Sequence, residues 1–286
     1  MAANERVVLV PTERRAAVLD VIRSARRRLV LSLYRCDDRR VLEALGAARR
    51  RGVQVEALLT RRGRDRSSLR LLRMLLESLG VSVCRYGSRT VKYHAKYVVA
   101  DETRTLIGSL NFTRTCFKHT ADFMLLSEDP DLAASLTALF EADRESSHTG
   151  LPRGLSARLI VGPSQARQRL AGLLGGARSS IQLVDAKLND PSIIRLLAAQ
   201  SASGVDVRVL GARKIGGLRS HGKLLILDGR IAVVGSMALT ASNLDLRREV
   251  AVTVQDPAAV RQLQRFFLDV APRERPVPSI CAETVQ

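Results

Sequence analysis

The chain contains two copies of one sequence unit, and this internal repeat constrains its fold more than any other feature. Pro11 aligns with Pro163 and Gly52 with Gly204, in both cases 152 residues later. From residue 94 onward the spacing is 127 residues, so the first copy carries 25 extra residues just before that point. The pairs at the second spacing are His94 with His221, Lys96 with Lys223, Asp101 with Asp228, Gly108 with Gly235, Ser109 with Ser236 and Asp122 with Glu249.

Each copy carries a histidine and a lysine two positions apart, at the start of a run of β-forming residues. His94 and Lys96 precede Tyr-Val-Val, and His221 and Lys223 precede Leu-Leu-Ile. On a β-strand, residues i and i+2 point to the same face. We therefore expect each copy to present one imidazole and one ammonium group side by side. The chain has only four histidines, and two of them occupy these equivalent positions.

Strand-like and helix-like segments alternate in both copies, which predicts an α/β fold. Such alternation is typical of a largely parallel sheet with helices on both faces. We predict two pseudo-repeated α/β/α units, each a mixed, largely parallel sheet flanked by helices, with the active site between them. The predicted strands are 7–10, 29–34, 53–59, 160–161, 181–184 and 205–210, and the predicted helices include 38–51 and 191–201.

Residues 145–156 are rich in Ser, Gly and Pro, a composition that favours a boundary between the units. We assign residues 1–150 to the first unit and 151–286 to the second, with 272–286 as an irregular tail. The additional residues of the first copy lie within 61–92, which holds nine Lys and Arg against two acids. The apolar spacing of 68–79 predicts a helix there, either lining the cleft with positive charge or simply solvated.

The charge balance indicates anionic partners. The chain has 46 Lys and Arg against 28 Asp and Glu, a net charge of +18. Nucleic acid, acidic lipid headgroups and phosphate esters all fit such a balance, and so do arginine-rich faces that are merely solvated. A hydrophobic fraction of 46% is typical of a globular protein.

Apolar runs and cysteines bear on the compartment. No stretch reaches the ~18 apolar residues of a membrane span, and the first ten residues lack the apolar run of a signal peptide. The four cysteines are scattered without a CxxC pair, which argues against a zinc site or a disulfide framework. We expect a cytoplasmic protein that is at most peripheral at a membrane.

The doubled residues suit chemistry at phosphorus. Two lysines and the hydrogen-bonding groups of Ser109, Asn111 and Ser236 would bind phosphate oxygens. A histidine has an ordinary pKa of about 6.5, so one imidazole can attack phosphorus while the other protonates the leaving oxygen. Lys96 and Lys223 would stabilise the transition state. This mechanism requires no metal or cofactor, and we expect none.

Acidic residues complete the predicted site. A catalytic imidazole needs an acceptor for its second nitrogen, and Asp122 and Glu249 are the equivalent candidates. Asp101 and Asp228 come just after the site strands, and we interpret them as structural groups that fix a turn.

These residues resemble the phospholipase D superfamily, whose motif reads HxK, four residues, D, six residues, GSxN. His94 to Asn111 match it in full, whereas the second copy has Ala238 in place of the final asparagine, with Asn243 nearby. The resemblance covers essentially the whole chain. It implies metal-independent cleavage or transfer of a phosphodiester through a phosphohistidine, with His94 as the nucleophile and His221 as the acid and base.

Three functions remain open on the sequence. Two motifs in one chain and few aromatic residues (3%) favour a phospholipid-directed phosphodiesterase or phosphatidyltransferase of the phospholipase D or cardiolipin synthase type. The net charge also fits an endonuclease that binds DNA or RNA backbones. The loss of asparagine at Ala238 fits a non-catalytic anion-binding protein. The expected partners are phospholipid headgroups or a membrane surface, alternatively nucleic acid, and we expect a monomer with pseudo-twofold symmetry.

Overall fold

The computed structural model describes residues 4–61, 66–88, 90–145 and 150–271. The first half forms β1 (Glu5–Val8), α1 (Pro11–Ser24), β2 (Arg28–Leu33), α2 (Arg39–Arg50), β3 (Gln54–Leu59), α3 (Arg66–Ser78), β4 (Ser82–Arg85), β5 (Lys92–Tyr93), β6 (Tyr97–Ala100), β7 (Arg104–Gly108), α4 (Arg114–Lys118), β8 (Thr120–Ala121), β9 (Met124–Ser127) and α5 (Pro130–Glu145). The second half forms β10 (Leu159–Val161), α6 (Ala166–Gly176), β11 (Ser180–Val184), α7 (Pro191–Ala202), β12 (Asp206–Leu210), β13 (Lys214–Ile215), β14 (Leu218–Ser220), β15 (Lys223–Leu227), β16 (Ile231–Gly235), α8 (Ala241–Leu246), β17 (Arg247–Arg248), β18 (Val250–Val254) and α9 (Pro257–Val270).

Each half builds one large sheet, and the two sheets have the same strand order. The first sheet runs β1-β9-β7-β6-β2-β3-β4 and the second β10-β18-β16-β15-β11-β12. Local structure repeats as well: Asp38 and Asp190 cap α2 and α7, and each is paired with an arginine at an equivalent position, Arg15 or Arg167. The predicted internal repeat and mixed α/β fold are thus confirmed.

The prediction of largely parallel sheets is wrong. Only β2 with β3, β3 with β4 and β11 with β12 pair in parallel within the two sheets, and the other neighbours are antiparallel. The reason is local: each site strand returns through a hairpin, β6 to β7 and β15 to β16, and a tight turn can join only antiparallel strands. The alternation of strands and helices describes just the first part of each unit.

Asp101 and Asp228 lie in these hairpin turns, as predicted. Asp101 and Glu102 have φ of 51° and 57°, and Asp228 and Gly229 have 53° and 61°. Two successive residues at positive φ are the mark of a type I′ turn, whose twist matches that of the flanking strands. Each aspartate also accepts hydrogen bonds from three consecutive backbone N–H groups, at residues 26–28 and 178–180. These bonds hold the pKa of both carboxyls below the usual range, in spite of partial burial.

Three apolar layers separate the sheets and helices. One face of the first sheet packs against α1 to α4, and one face of the second packs against α6 to α8. The remaining faces of both sheets share a single central core with α5 and α9. Strand residues alternate between layers, so that Tyr97 and Val99 lie in the central core while Val98 and Ala100 face the outer one.

The two halves also exchange short strands. β5 of the first half pairs in parallel with β17 of the second, and β14 of the second pairs in parallel with β8 of the first. These four strands occupy equivalent positions of the repeat, so the exchange is reciprocal. It carries each histidine motif across to the other half, since His94 N donates to Arg248 O and Gly222 N donates to Ala121 O.

The 25 additional residues of the first copy supply α3 and β4, and the predicted helix at 68–79 is confirmed as α3. No helix in the described part of the chain is long and apolar enough to cross a membrane. The division at residue 150 stays a prediction, and the predicted tail at 272–286 lies outside the described residues.

Candidate active site

The two His-Lys pairs lie in the connections that lead into β6 and β15. His94, Ala95 and Lys96 precede β6, and Lys223 is the first residue of β15. The expectation that each pair lies wholly on a strand is therefore wrong, because backbone bonds to the opposite half pull the histidines out of the sheet. Each lysine still lies beside its own histidine, since Lys96 Nζ donates to His94 O at 2.6 Å and Lys223 Nζ donates to His221 O.

Each imidazole is bound by the carboxylate of the other half. His94 Nδ1 lies 2.6 Å from Glu249 Oε1, and His221 Nδ1 lies 2.7 Å from Asp122 Oδ1. Both carboxylates are fully buried, whereas the histidine side chains keep 14% and 22% of their exposure. With the proton on Nδ1, each ring keeps the lone pair of Nε2 for chemistry. The structure thus brings the four predicted residues together in two crossed pairs.

The two carboxylates have different surroundings. Asp122 accepts hydrogen bonds from Ser109 Oγ at 2.6 Å and from Thr120 Oγ1, in addition to His221. These donors outweigh burial and lower the pKa of Asp122. Glu249 accepts from Asn243 Nδ2 at 3.3 Å, and burial raises its pKa to about 7 although Lys96 and Lys223 oppose the rise. Asp122 is therefore the firmer anion.

Burial also governs the cations of the site. Lys96 is 3% exposed, and the removal of its ammonium from water lowers its pKa to about 7, with Glu249 acting in the opposite direction. The pKa of His94 falls well below its usual value through burial and the nearby Lys96 and Lys223. The pKa of His221 is lowered by burial as well, but Asp122 counteracts that effect. His94 is consequently neutral at pH 7.

The predicted phosphate-binding hydroxyls make internal hydrogen bonds in this structure. Ser109 Oγ donates to Asp122 and accepts from Phe123 N at 3.1 Å, and Ser236 Oγ accepts from Val250 N at 3.3 Å. Asn111 differs, because its Oδ1 is buried and has no hydrogen-bond partner within the described residues. A role in phosphate binding stays a prediction for all three.

Comparison with known proteins identifies the family of the chain. Residues 18–144 and 212–270 match the family model described as "Cardiolipin synthase, PLD-like domain". The chain belongs to the phospholipase D-like family. Its matched residues include all four of the His and Lys residues of the two motifs.

Similar proteins differ in what their names say they do. A polyphosphate kinase of Mycolicibacterium gilvum is 31% identical over 285 residues, which cover 85% of this chain but only 38% of the kinase. The crystal structure of a Porphyromonas gingivalis polyphosphate kinase has a TM-score of 0.74 at 18% identity, covering 93% of this chain and 46% of that one. A Haemophilus influenzae phosphatidylserine synthase has the same TM-score at 12% identity, covering 92% and 85%. The structural likenesses show the phospholipase D-like fold, and the chain spans less than half of the polyphosphate kinases it matches.

The second family motif departs from its pattern at Ala238, which is fully buried. Asn243 lines a pocket next to Arg247 and makes internal hydrogen bonds. Its amide donates to Glu249, and its oxygen accepts from Thr240 Oγ1 at 3.0 Å. Asn243 therefore supports the carboxylate that orients His94.

Two pockets flank the crossed pairs at equivalent positions of the repeat. The α3 pocket, of about 410 Å³, is lined by His221, Asn111, Tyr34, Arg35, Arg219 and part of α3. The Lys187 pocket, of about 550 Å³, is lined by Lys187, Asn189, Ser242, Asn243 and Arg247. Both contain cations and apolar side chains, which are Leu69 and Leu72 of α3 in the first pocket and Leu188 in the second.

Several site residues escaped sequence reasoning. Tyr34 places its ring edge-on to His94 with centroids 4.5 Å apart, and Lys96 Nζ lies 5.2 Å from the same ring. At the repeat spacing its counterpart is Ala186, so the repeat gave no signal. Arg14 is 1% exposed and donates to backbone carbonyls at Leu9, Cys116, Thr120 and Asp122, which fixes the segment that carries Asp122, the partner of His221.

One group of side chains has the composition of a metal site. Potential ligand atoms of Cys116, Asp122 and His221 lie within 4.8 Å of one another. Asp122 and His221 already bind each other, and both oxygens of Asp122 accept hydrogen bonds from hydroxyls. This geometry favours the hydrogen-bonded pair over metal binding.

Proposed function

We propose that this protein cleaves or transfers the phosphodiester of phospholipids by two displacements at phosphorus through a phosphohistidine. The observation that carries the proposal is the pair of crossed histidine–carboxylate bonds, each beside a buried lysine. Two equivalent imidazoles facing one centre suit a reaction in which one forms a covalent bond while the other moves protons.

His94 is the better nucleophile of the two. Its lowered pKa keeps it neutral, and Glu249 holds the Nδ1 side of the ring, so that Nε2 attacks phosphorus and the P–O bond to the alcohol breaks. His221 acts as the imidazolium, protonated on both nitrogens and stabilised by the firm anion of Asp122; its Nε2 proton passes to the leaving oxygen, and the ring is left neutral. It then takes a proton from water or an alcohol, whose oxygen attacks phosphorus and frees His94. Lys96 and Lys223 neutralise the charge on the phosphoryl oxygens in both steps.

The α3 pocket supports a lipid substrate. It combines the cations Arg35 and Arg219 with the apolar side chains Leu69 and Leu72, next to His221. A phosphodiester with apolar chains requires both kinds of wall, whereas a purely ionic substrate gains nothing from the leucines.

Polyphosphate is the second candidate. It is favoured by the 31% identity to a polyphosphate kinase over 85% of this chain and by the cations of the Lys187 pocket. The same two displacements would move a terminal phosphoryl group from one phosphate chain to another acceptor. The chain spans 38% of that kinase, so this activity is also a proposal.

The test measures turnover of ³²P-labelled phospholipid vesicles, polyphosphate, DNA and RNA in EDTA. Parallel samples are stopped in alkali and in acid, and the ³²P that stays on the denatured protein is counted in each. We expect lipid turnover and an alkali-stable, acid-labile protein label with the wild type. His94→Ala should lose the label, and His221→Ala should slow turnover by roughly 10²–10⁴-fold. His119→Ala is the control, because His119 is exposed and lies at the end of α4.

Each outcome decides between the candidates. Turnover of polyphosphate alone supports the second candidate, and cleavage of DNA or RNA alone identifies a nuclease. Turnover that survives in both His94→Ala and His221→Ala contradicts the two-histidine mechanism, and inactivity on all four substrates contradicts the proposed function.

A further inference from the structure

Helix α3 presents a second apolar face to solvent. Leu72 and Leu76 are buried against the sheet, but Leu71, Met74 and Leu75 are 58%, 55% and 41% exposed. Residues at i, i+3 and i+4 of a helix lie on one stripe, so the three exposed side chains form one surface. We call these three residues the α3 stripe.

The α3 stripe is unusual within the described part of the chain. The other large apolar side chains with comparable exposure, Val10, Val209, Leu246 and Leu268, each lie on a different element. Single exposed apolar residues are ordinary on protein surfaces, whereas a contiguous exposed group indicates a contact surface.

Charge around the stripe indicates the kind of partner. Arg66 and Arg70 of α3 are exposed, and the one acid of the helix, Glu77, is paired with Arg73 at 2.7 Å. An apolar stripe bordered by arginines matches a membrane surface with anionic lipids, whose phosphates meet the arginines while the apolar groups enter the acyl boundary. A second copy of this chain fits less well, because it would set the same arginines against each other.

Position connects the stripe to the reaction centre. Ser68, Leu69 and Leu72 of the same helix line the α3 pocket, which also contains His221. The helix therefore separates the exposed stripe from the catalytic cleft by only its own width. A lipid that leaves the bilayer beside α3 reaches the pocket without crossing the rest of the protein.

We propose that α3 docks the protein on membranes containing anionic phospholipid, with Leu71, Met74 and Leu75 in the acyl boundary and Arg66 and Arg70 at the phosphates. The docking itself stands apart from catalysis, and the delivery of lipid to the α3 pocket rests on the proposed function. Helix α3 belongs to the residues that only the first half contains. Membrane docking would therefore be the function of this insertion.

The experiment is sedimentation of the protein with vesicles in EDTA. We expect binding to phosphatidylcholine vesicles that contain 30% phosphatidylglycerol, and weak binding to pure phosphatidylcholine, with a loss of affinity at high salt. The triple variant Leu71→Gln, Met74→Gln, Leu75→Gln should bind at least about tenfold more weakly. Leu268→Gln is the matched control, because Leu268 is 49% exposed on α9 and should leave binding unchanged.

A monomeric short-chain phosphodiester separates docking from catalysis. We expect the triple variant to keep wild-type turnover of this soluble substrate while losing turnover of vesicles. If the wild type turns over the soluble substrate but binds no vesicles, the docking proposal fails and the proposed function stands. If the wild type binds vesicles and turns over neither substrate, the docking proposal stands and the proposed function fails. Vesicle binding that the triple variant retains would contradict docking through the stripe. A wild-type oligomer that dissociates in the triple variant would show that the stripe contacts protein instead.

Discussion

Two acids at equivalent positions of the repeat have acquired different ionisation. Asp122 is held by two hydroxyl donors and titrates below its usual range, whereas burial raises the pKa of Glu249 to about 7. Lys96, in contact with the same centre, also has a pKa of about 7. Asp122 is thus fully ionised at neutral pH, whereas Glu249 and Lys96 titrate there.

Changing Glu249 to Gln should move the alkaline limb of kcat/KM to lower pH. In the proposed mechanism activity requires the ammonium form of Lys96, so kcat/KM should fall as the pH rises through the pKa of about 7 that belongs to the Lys96–Glu249 pair. Glu249 raises the pKa of Lys96, and without its charge Lys96 loses its proton at lower pH. The measurement is a pH profile on a soluble substrate. His119→Ala should leave the profile unchanged, and an unmoved limb in Glu249→Gln would exclude Lys96 as its source.

The hairpin turns show the repeat at the level of elements. Both turns need two residues at positive φ, and the second copy meets this need with Gly229 where the first has Glu102. A side chain at such a position costs about 1–2 kcal/mol. The Arg28 contact to Glu102 spans 3.9 Å on the surface and offsets little of that cost.

Glu102→Gly should therefore stabilise the protein, by about 1 kcal/mol, because it removes the side chain from a left-handed conformation. The reciprocal change, Gly229→Ala, should destabilise it by a similar amount. Urea unfolding at pH 7 measures both changes in stability. The rate of substrate turnover should stay the same in both variants. A Glu102→Gly variant no more stable than the wild type would contradict this account of the turn.

The sequence predicted which residues meet at the site better than how they are paired. The repeat spacing identified His94, His221, Asp122 and Glu249, and the apolar spacing of 68–79 predicted α3. It could not tell which acid serves which histidine, because equal spacing in both copies is compatible with pairs inside each half and with crossed pairs. The antiparallel majority of the sheets also remained hidden, since hairpins leave the apolar pattern of a buried strand unchanged.

At the scale of the whole molecule, the backbone of the second half packs directly against the first half at Gly222. A Cβ on Gly222 would lie 2.5 Å from Phe123 Cδ2 and 2.8 Å from Ala121 O, both in the first half. The equivalent position in the first motif holds Ala95, which is fully buried. The interface therefore admits a methyl group on one side of the site and excludes it on the other.

Gly222→Ala should impair activity at least about tenfold, because the clash displaces His221 and Lys223 on either side of it. Ala95→Gly, the matched change in the other motif, should cost about 1 kcal/mol of stability and little activity. Initial rates and thermal unfolding distinguish the two effects. A fully active Gly222→Ala would mean that the halves separate more readily than their packing indicates.

The crossed carboxylates also constrain how the two halves can evolve. A change that removes the acid of one half removes the Nδ1 partner of the histidine in the other half, so in the proposed mechanism each half depends on the other for an oriented imidazole. We therefore expect the two halves to evolve together, because a replacement of either half alone would have to preserve both crossed pairs. Natural selection should therefore act on the two halves jointly and not on each half by itself.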